Sequence, residues 1–385
     1  MAFGNASILA EKNINRQRYN LVFLLLVITM FGVGFTTLYS ASIHYGSLLF
    51  GEPLYFVLNQ AKHFVFALIV MSLFAFVDFR IIRRLLPFGM LISLILCLMT
   101  FIPFLSKESH GAVRWVNIAG KFMFQPSEFV KLVMIIFIAN FFAKNGGKFD
   151  KPFLSILMPF FVVALFVLLI YFENDFSSSF FILFLSLMMF FIVGVPILWF
   201  FKGFVVIIPI LILMILTKDY RIERILAFID PTREPLKSTY QIQGALNALA
   251  SGGFWGRGLG EGIKKIGSVP YIYSDFVFVV WAEEMGFIGV IFYIFLLASF
   301  AFVGYRIALT CKDSFASYVA FGGVSAIVFQ SLLNCAVVCK LAPTTGISLP
   351  FFSAGGSSLV VTFAICGLII NASGVSSKYG GSRNE

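Results

Sequence analysis

Long apolar runs alternate with short polar breaks along the whole chain. Runs of about 20 mostly apolar residues, enough for a helix to cross a hydrocarbon core about 30 Å thick, occur ten times. They cover about 20–42, 56–77, 85–105, 123–143, 153–171, 177–193, 199–217, 275–305, 316–339 and 357–374. The pattern predicts an all-α membrane protein, a ten-span transmembrane helical bundle over 20–374. A long structured loop, 218–274, joins spans 7 and 8, and 1–19 and 375–385 are short tails. The first run is too long for the core of a signal peptide and reads as a retained span.

Composition supports this division. The 385 residues are 60% apolar and only 12% charged, with 50 phenylalanines, which excludes the two or three soluble domains that length alone would suggest. Charge sets the orientation. With the N-terminus inside, the inner segments hold fourteen Lys and Arg residues, from Lys12 to Arg383, and the short outer loops only Lys107, Arg114, Lys121 and Lys340. This bias predicts two cytoplasmic termini, with membrane lipids and no nucleic acid as partners. Eight further basic residues lie in 218–274, and a loop that long crosses regardless of its charge. The five cysteines and three histidines have no metal-ligand spacing.

Two outer segments are irregular. In the long loop, Ile222, Ile225, Leu226 and Ile229 recur at helical spacing beside Arg221 and Arg224, the pattern of a helix lying in the membrane interface. SGGFWGRGLGEGIKK follows, with six glycines in fifteen residues. The last outer loop, KLAPTTGISLPFFSAGGSSL, is broken by Pro343 and Pro350, and non-helical backbone at that depth must line a cavity or be enclosed in protein.

Ionisable residues inside a membrane are costly and mark a functional site or an internal pair. Glu128 and Lys131, three apart on one helical face, either neutralise each other or line a polar cavity and hold a substrate or a loop. Arg114, beside Trp115, either snorkels to headgroups or grips a phosphate or carboxylate with its planar fork. ENDFSSS, 173–179, supplies turn and capping residues. Asp275 precedes span 8, where it either caps the helix together with Ser274 or serves as a carboxylate at the water-facing mouth of a cavity. Glu283 and Glu284 fall eight and nine residues later, about 12–14 Å along a straight helix, too far to share its surroundings.

These segments carry a resemblance. YSAS (39–42), GAVRWVNI (111–118), FQPSEFVKL (124–132), ENDFSSS, YRIERILAFIDP, YQIQGALNALASGGFWGRGLGEGIKK, SDFVFVVWAEEMGFIG and APTTGISLPFFSAGGSSL, in that order, resemble the SEDS family. GLGEGIKKIG and PTTGISLPFFS look more like its septal branch than its elongation branch. The resemblance implies a bacterial cytoplasmic-membrane enzyme at the division septum that polymerises lipid II into glycan strands. Its implied partners are a class B penicillin-binding transpeptidase and other divisome membrane proteins. It also implies that Asp275 is the essential aspartate, and that Arg114, Glu128 and Lys131 match the family's arginine and its glutamate and lysine. Three positions depart from the pattern: Pro270-Tyr271 replaces proline-glutamate, Asn174 replaces a proline, and Ala354 a tyrosine.

The implied reaction needs a base, positive charge for a departing diphosphate, and room for polyprenyl tails. Asp275 is expected to be the base, and Arg114, Arg221, Arg224, Lys264 and Lys265 are candidates for the diphosphates. No tightly bound cofactor is expected; a divalent cation could share the charge. Ten spans with broken outer segments also fit a transporter that flips lipid-linked precursors, or a scaffold for division proteins.

Overall fold

A computed structural model describes residues 2–104, 106–109, 112–118, 122–145, 149, 153–229, 237–263 and 272–378. Its helices are α1 (Ala2–Phe50), α2 (Tyr55–Phe76), α3 (Phe79–Met99), α4 (Pro126–Asn145), α5 (Met158–Phe172), α6 (Phe176–Val193), α7 (Ile197–Leu216), α8 (Asp219–Ile229), α9 (Lys237–Gly252), α10 (Val277–Thr310), α11 (Ser314–Val338) and α12 (Gly356–Lys378). Among the described residues ten helices are long and apolar enough to cross a membrane, all but α8 and α9. They are the ten expected spans.

Helix ends follow local chemistry more than hydropathy. α1 runs past residue 42 and stops at Phe50, before Gly51 with φ 71°. α3 starts at Phe79, where the Asp78 carboxylate accepts from the Arg80 amide. Such shifts move the bounds of a span and leave the count unchanged.

The apolar pattern gave no sign of a three-stranded antiparallel sheet between α3 and α4: β1 (Ser106–Ser109), β2 (Ala112–Ile118) and β3 (Phe122–Phe124), in the order β1-β2-β3. Trp115 pairs with Lys107, and Val116 with Phe124. The alternation in AVRWVNI is the strand signal that hydropathy windows average away.

α4, α11 and α12 form the centre, with 72%, 67% and 78% of their spans buried, whereas α7, at 6%, lies on the outside of the bundle. α12 packs chiefly on α2, and α10 lies against α11, α1 and α9. At 34 residues α10 is about 51 Å of helix, more than a bilayer core needs, and it kinks at Gly286, where φ is 63° and ψ −161°. Val277 to Glu284 are all buried in protein; exposed apolar side chains begin at Phe287 and recur to Leu309. The lipid-facing part of α10 therefore starts after the kink, and the residues before it belong to the loop end of the bundle.

Candidate active site at the loop end of the bundle

Asp275 sits in the turn before α10, half-buried. Phe276 is the capping residue of α10, with no side-chain cap bond, so Asp275 does not cap the helix; its Oδ1 instead accepts from Ser274 Oγ at 2.7 Å. The backbone around it is stitched to the last irregular loop. Ala354 N donates to the Tyr273 carbonyl (2.9 Å), Ser353 Oγ to the Ser274 carbonyl (2.6 Å), and Asn334 Nδ2 of α11 to the carbonyls of Asp275 (2.8 Å) and Ile347 (2.9 Å). With its main chain fixed on three sides, the carboxylate has a defined direction.

That direction is toward Gly346. A Cβ built on Gly346 would stand 3.3 Å from Asp275 Oδ2 and 3.7 Å from Arg114 Nη1, and the glycine has φ 71°. The absent side chain lets the aspartate and the arginine, far apart in sequence, approach one point. Arg114 extends from β2 and its Nε is buried without a hydrogen-bond partner. Arg114, Arg221 and Arg224 line one cavity of about 350 Å³, together with Asp175, Thr344 and the apolar Phe180, Leu211 and Leu333. Three guanidinium groups against one carboxylate give this cavity a positively charged wall beside an apolar flank. Arg224 Nη1 donates to the Thr344 carbonyl at 3.3 Å. Arg221 is 4% exposed, donates to Tyr171 Oη (2.8 Å) and the Met214 carbonyl (2.6 Å), and lies over the Tyr171 ring. It therefore also braces α8 against α5 and α7. Lys264 and Lys265 lie outside the described residues.

Glu128 and Lys131 are paired at 2.7 Å and both are buried. The pair is not self-contained. Lys131 Nζ also donates to Gln330 Oε1 (2.7 Å), and Gln330 Nε2 donates to the Ser348 carbonyl (2.9 Å), two residues beyond Gly346. The charge pair thus ends on the loop that positions Asp275. Gln330 and Asn334, four apart on α11, were not singled out from sequence; two amides at helical spacing in an apolar span are the signal that marks them.

A family model described as "Cell cycle protein", covering FtsW, RodA and SpoVE, matches residues 19–378. The chain belongs to this family. It is 34% identical over 363 residues to a protein of Borreliella burgdorferi named "Probable peptidoglycan glycosyltransferase FtsW", covering 94% of this chain and 98% of that one. A protein of the same name from Geobacter sp. is 32% identical over 358 residues, covering 93% and 97%. Among solved structures, a chain from "Structural coordination of polymerization and crosslinking by a peptidoglycan synthase complex" superimposes with a TM-score of 0.74 at 26% identity, covering 91% of this chain and 96% of that one. The rod shape determining protein RodA of Thermus thermophilus, at 24% identity and a TM-score of 0.64, covering 91% and 95%, shares the fold. The chain is a multi-pass membrane protein of this FtsW/RodA/SpoVE group.

Two departures from the family pattern have local consequences. Asn174 has φ 63°, a conformation open to asparagine but closed to proline, whose ring holds φ near about −65°, so a proline does not fit the turn between α5 and α6 as it stands here. Ala354 contributes only its backbone amide, to Tyr273. Pro270 and Tyr271 lie outside the described residues.

Glu283 and Glu284 are held apart from Asp275, as expected, and their partners come from the end of α9, the glycine-rich turn after it and α1. The chain reverses there so closely that a Cβ on Gly252 or Gly256 would collide with the α10 backbone at Ala282 or Glu284. Arg257 N and Gly258 N donate to the carbonyls of Glu283 (3.1 Å) and Glu284 (2.9 Å), and Phe287 N to that of Gly253 (3.0 Å), filling bonds that the kink frees. Glu283, fully buried, accepts from Ser251 Oγ and Ile263 N, each at 3.1 Å, with Arg257 Nε at 4.0 Å. Glu284 accepts from Ser40 Oγ of α1. Each orphaned buried donor costs about 1–3 kcal/mol, so Glu283→Ala should release the turn, seen as faster amide hydrogen exchange over 251–263. Glu283→Gln, which keeps an acceptor oxygen, should exchange nearly as slowly as the parent.

Glu173, the first residue beyond α5, is buried; burial, then the nearby Asp175 carboxylate, raises its carboxyl to about 8. The unfolded chain ionises this group from about pH 4.5 upward while the folded chain keeps it protonated. Its contribution to stability therefore falls as pH rises through that window and is lost above about 8. Glu173→Gln should flatten this slope and raise the thermal midpoint at pH 8; equal pH dependence in both proteins would contradict the assignment. Among the described residues no group of three or more His, Cys, Asp and Glu could hold a metal ion.

Proposed function

We propose that the chain is a peptidoglycan glycosyltransferase that polymerises lipid II on the outer face of the bacterial inner membrane, with both termini cytoplasmic, during septal wall synthesis. The observation that carries this reading is the meeting of Asp275 and Arg114 at Gly346, beside a cavity lined by three arginines. A hydroxyl on the incoming lipid-linked sugar loses its proton to the Asp275 carboxylate as it attacks the anomeric carbon of the growing strand. The bond from that carbon to the diphosphate oxygen breaks, and undecaprenyl diphosphate leaves.

Arg114 and Arg224 stabilise the charge that develops on the departing diphosphate, fixed in place before the reaction begins, while Arg221 contributes charge and holds the cavity wall. Lys264 and Lys265 belong to the same basic loop and are candidates for the second diphosphate. A divalent cation carried in with the substrate would share this charge. Glu128 and Lys131 act through Gln330 and Ser348 on the loop, as positioning residues. The relatives named peptidoglycan glycosyltransferase FtsW favour the septal role over the elongation role. The peptidoglycan synthase complex that pairs polymerisation with crosslinking favours a class B transpeptidase as partner, within a set of other divisome membrane proteins.

The test is purified protein, with its transpeptidase, given lipid II in vesicles. Long glycan strands are expected; movement of lipid II across the bilayer without polymer would support a transporter instead. Depletion in cells should give filaments, and rounded cells would assign the elongation branch.

A further inference from the structure

The arginine-lined cavity meets the Asp275 segment through Arg114 at Gly346, and a polymerase must hold two lipid-linked molecules at once. A second cavity, about 650 Å³, lies between α1 and the glycine-rich turn, within the size range of small-molecule sites. Phe35, Tyr39, Ile43 and His44 of α1 face Leu259 and Gly260 across it. Tyr45, next to His44, lies 5.6 Å ring to ring from Tyr273, two residues before Asp275, and Ser40 on the same wall bonds Glu284.

We propose that this groove takes the polyprenyl tail of the acceptor, the lipid-linked sugar whose hydroxyl Asp275 deprotonates, and that the arginine cavity takes the donor. The assignment rests on the polymerase reading above. It follows from where charge is needed. The donor's diphosphate leaves and requires cations at the bond that breaks, and the arginines line that cavity. The acceptor's diphosphate stays intact, and among the described residues no Lys or Arg lines the groove.

On the same glycine-rich turn Phe254 and Trp255 are 56% and 79% exposed, aromatic side chains of the kind that settle at the headgroup level. Leu259 and Tyr39 are 59% and 49% exposed, so the groove is open to lipid along its side. Its far wall is rigid because Glu283 and the kink of α10 hold the turn.

Thr36 lines the groove and is exposed, so Thr36→Trp should narrow it without disturbing the core, and Ile43→Trp serves as a second plug. In vesicles with the transpeptidase, each should raise the apparent KM for lipid II about tenfold with little change in kcat. A benzophenone amino acid in place of Tyr39 should cross-link labelled lipid II, and one in place of Ile225, in the arginine cavity, should still do so in the Thr36→Trp background. Unchanged KM in both plugs, or capture at position 39 of bulk phospholipid or the partner's membrane helix alone, would overturn the proposal. If the parent protein made no polymer, the polymerase reading would fall, and capture of lipid II at position 39 would decide the groove separately.

Discussion

Asp275→Asn is expected to fold, reach the membrane and bind lipid II, yet polymerise it about 100- to 10,000-fold more slowly, the range that a general base contributes. The substitution is nearly isosteric. The amide oxygen of the new side chain still accepts from Ser274 Oγ, and the three backbone bonds that fix the segment, from Ala354, Ser353 and Asn334, do not involve the carboxylate. What is lost is the proton acceptor facing Gly346 and Arg114. The check is a polymerisation time course beside a thermal unfolding curve in detergent. An unchanged melting midpoint with activity lost is the expected pair of results, whereas full activity would remove Asp275 from the mechanism.

The second large effect is expected at Glu128 and Lys131. Glu128→Gln leaves a buried ammonium with its countercharge gone, and Lys131→Met leaves a buried carboxylate; breaking a buried pair from one side costs about 3–5 kcal/mol. Either change also loosens Gln330, and through it the Ser348 carbonyl and the loop that carries Gly346. Each single variant should therefore lose stability and activity together. In the double variant no charge is left unpaired, so its loss should fall short of the sum by about 0.5–3 kcal/mol. A double-mutant cycle on unfolding and on polymerisation rate measures this, and additive losses would mean that the two residues act independently.

The fold was legible where one rule dominates. A span must satisfy its own backbone in about 20 apolar residues, so the count of ten came from hydropathy alone, even though α1 overran its apolar run and α3 began well before its own. The sheet over 106–124 was missed because three short strands leave only a weak alternation between two strong helical signals. In the site, Asp275, Arg114, Glu128 and Lys131 stood out as charges where charge is costly. Their arrangement was not readable, because it depends on Gly346, Gln330 and Asn334, which bring together segments distant in sequence. Glu283 and Glu284 show the same limit. Nothing near them in sequence names Ser251, Ile263 or Ser40, and the kink at Gly286 that moves them out of the lipid-facing part of α10 depends on a turn well upstream.

The most direct measurement is the release of undecaprenyl diphosphate from lipid II by the purified protein with its transpeptidase, counted against glycosidic bonds formed. The account predicts one diphosphate released for each new bond in the parent protein and almost none in Asp275→Asn. Equal release by both proteins, or lipid II moved across the membrane with no diphosphate released, would contradict it.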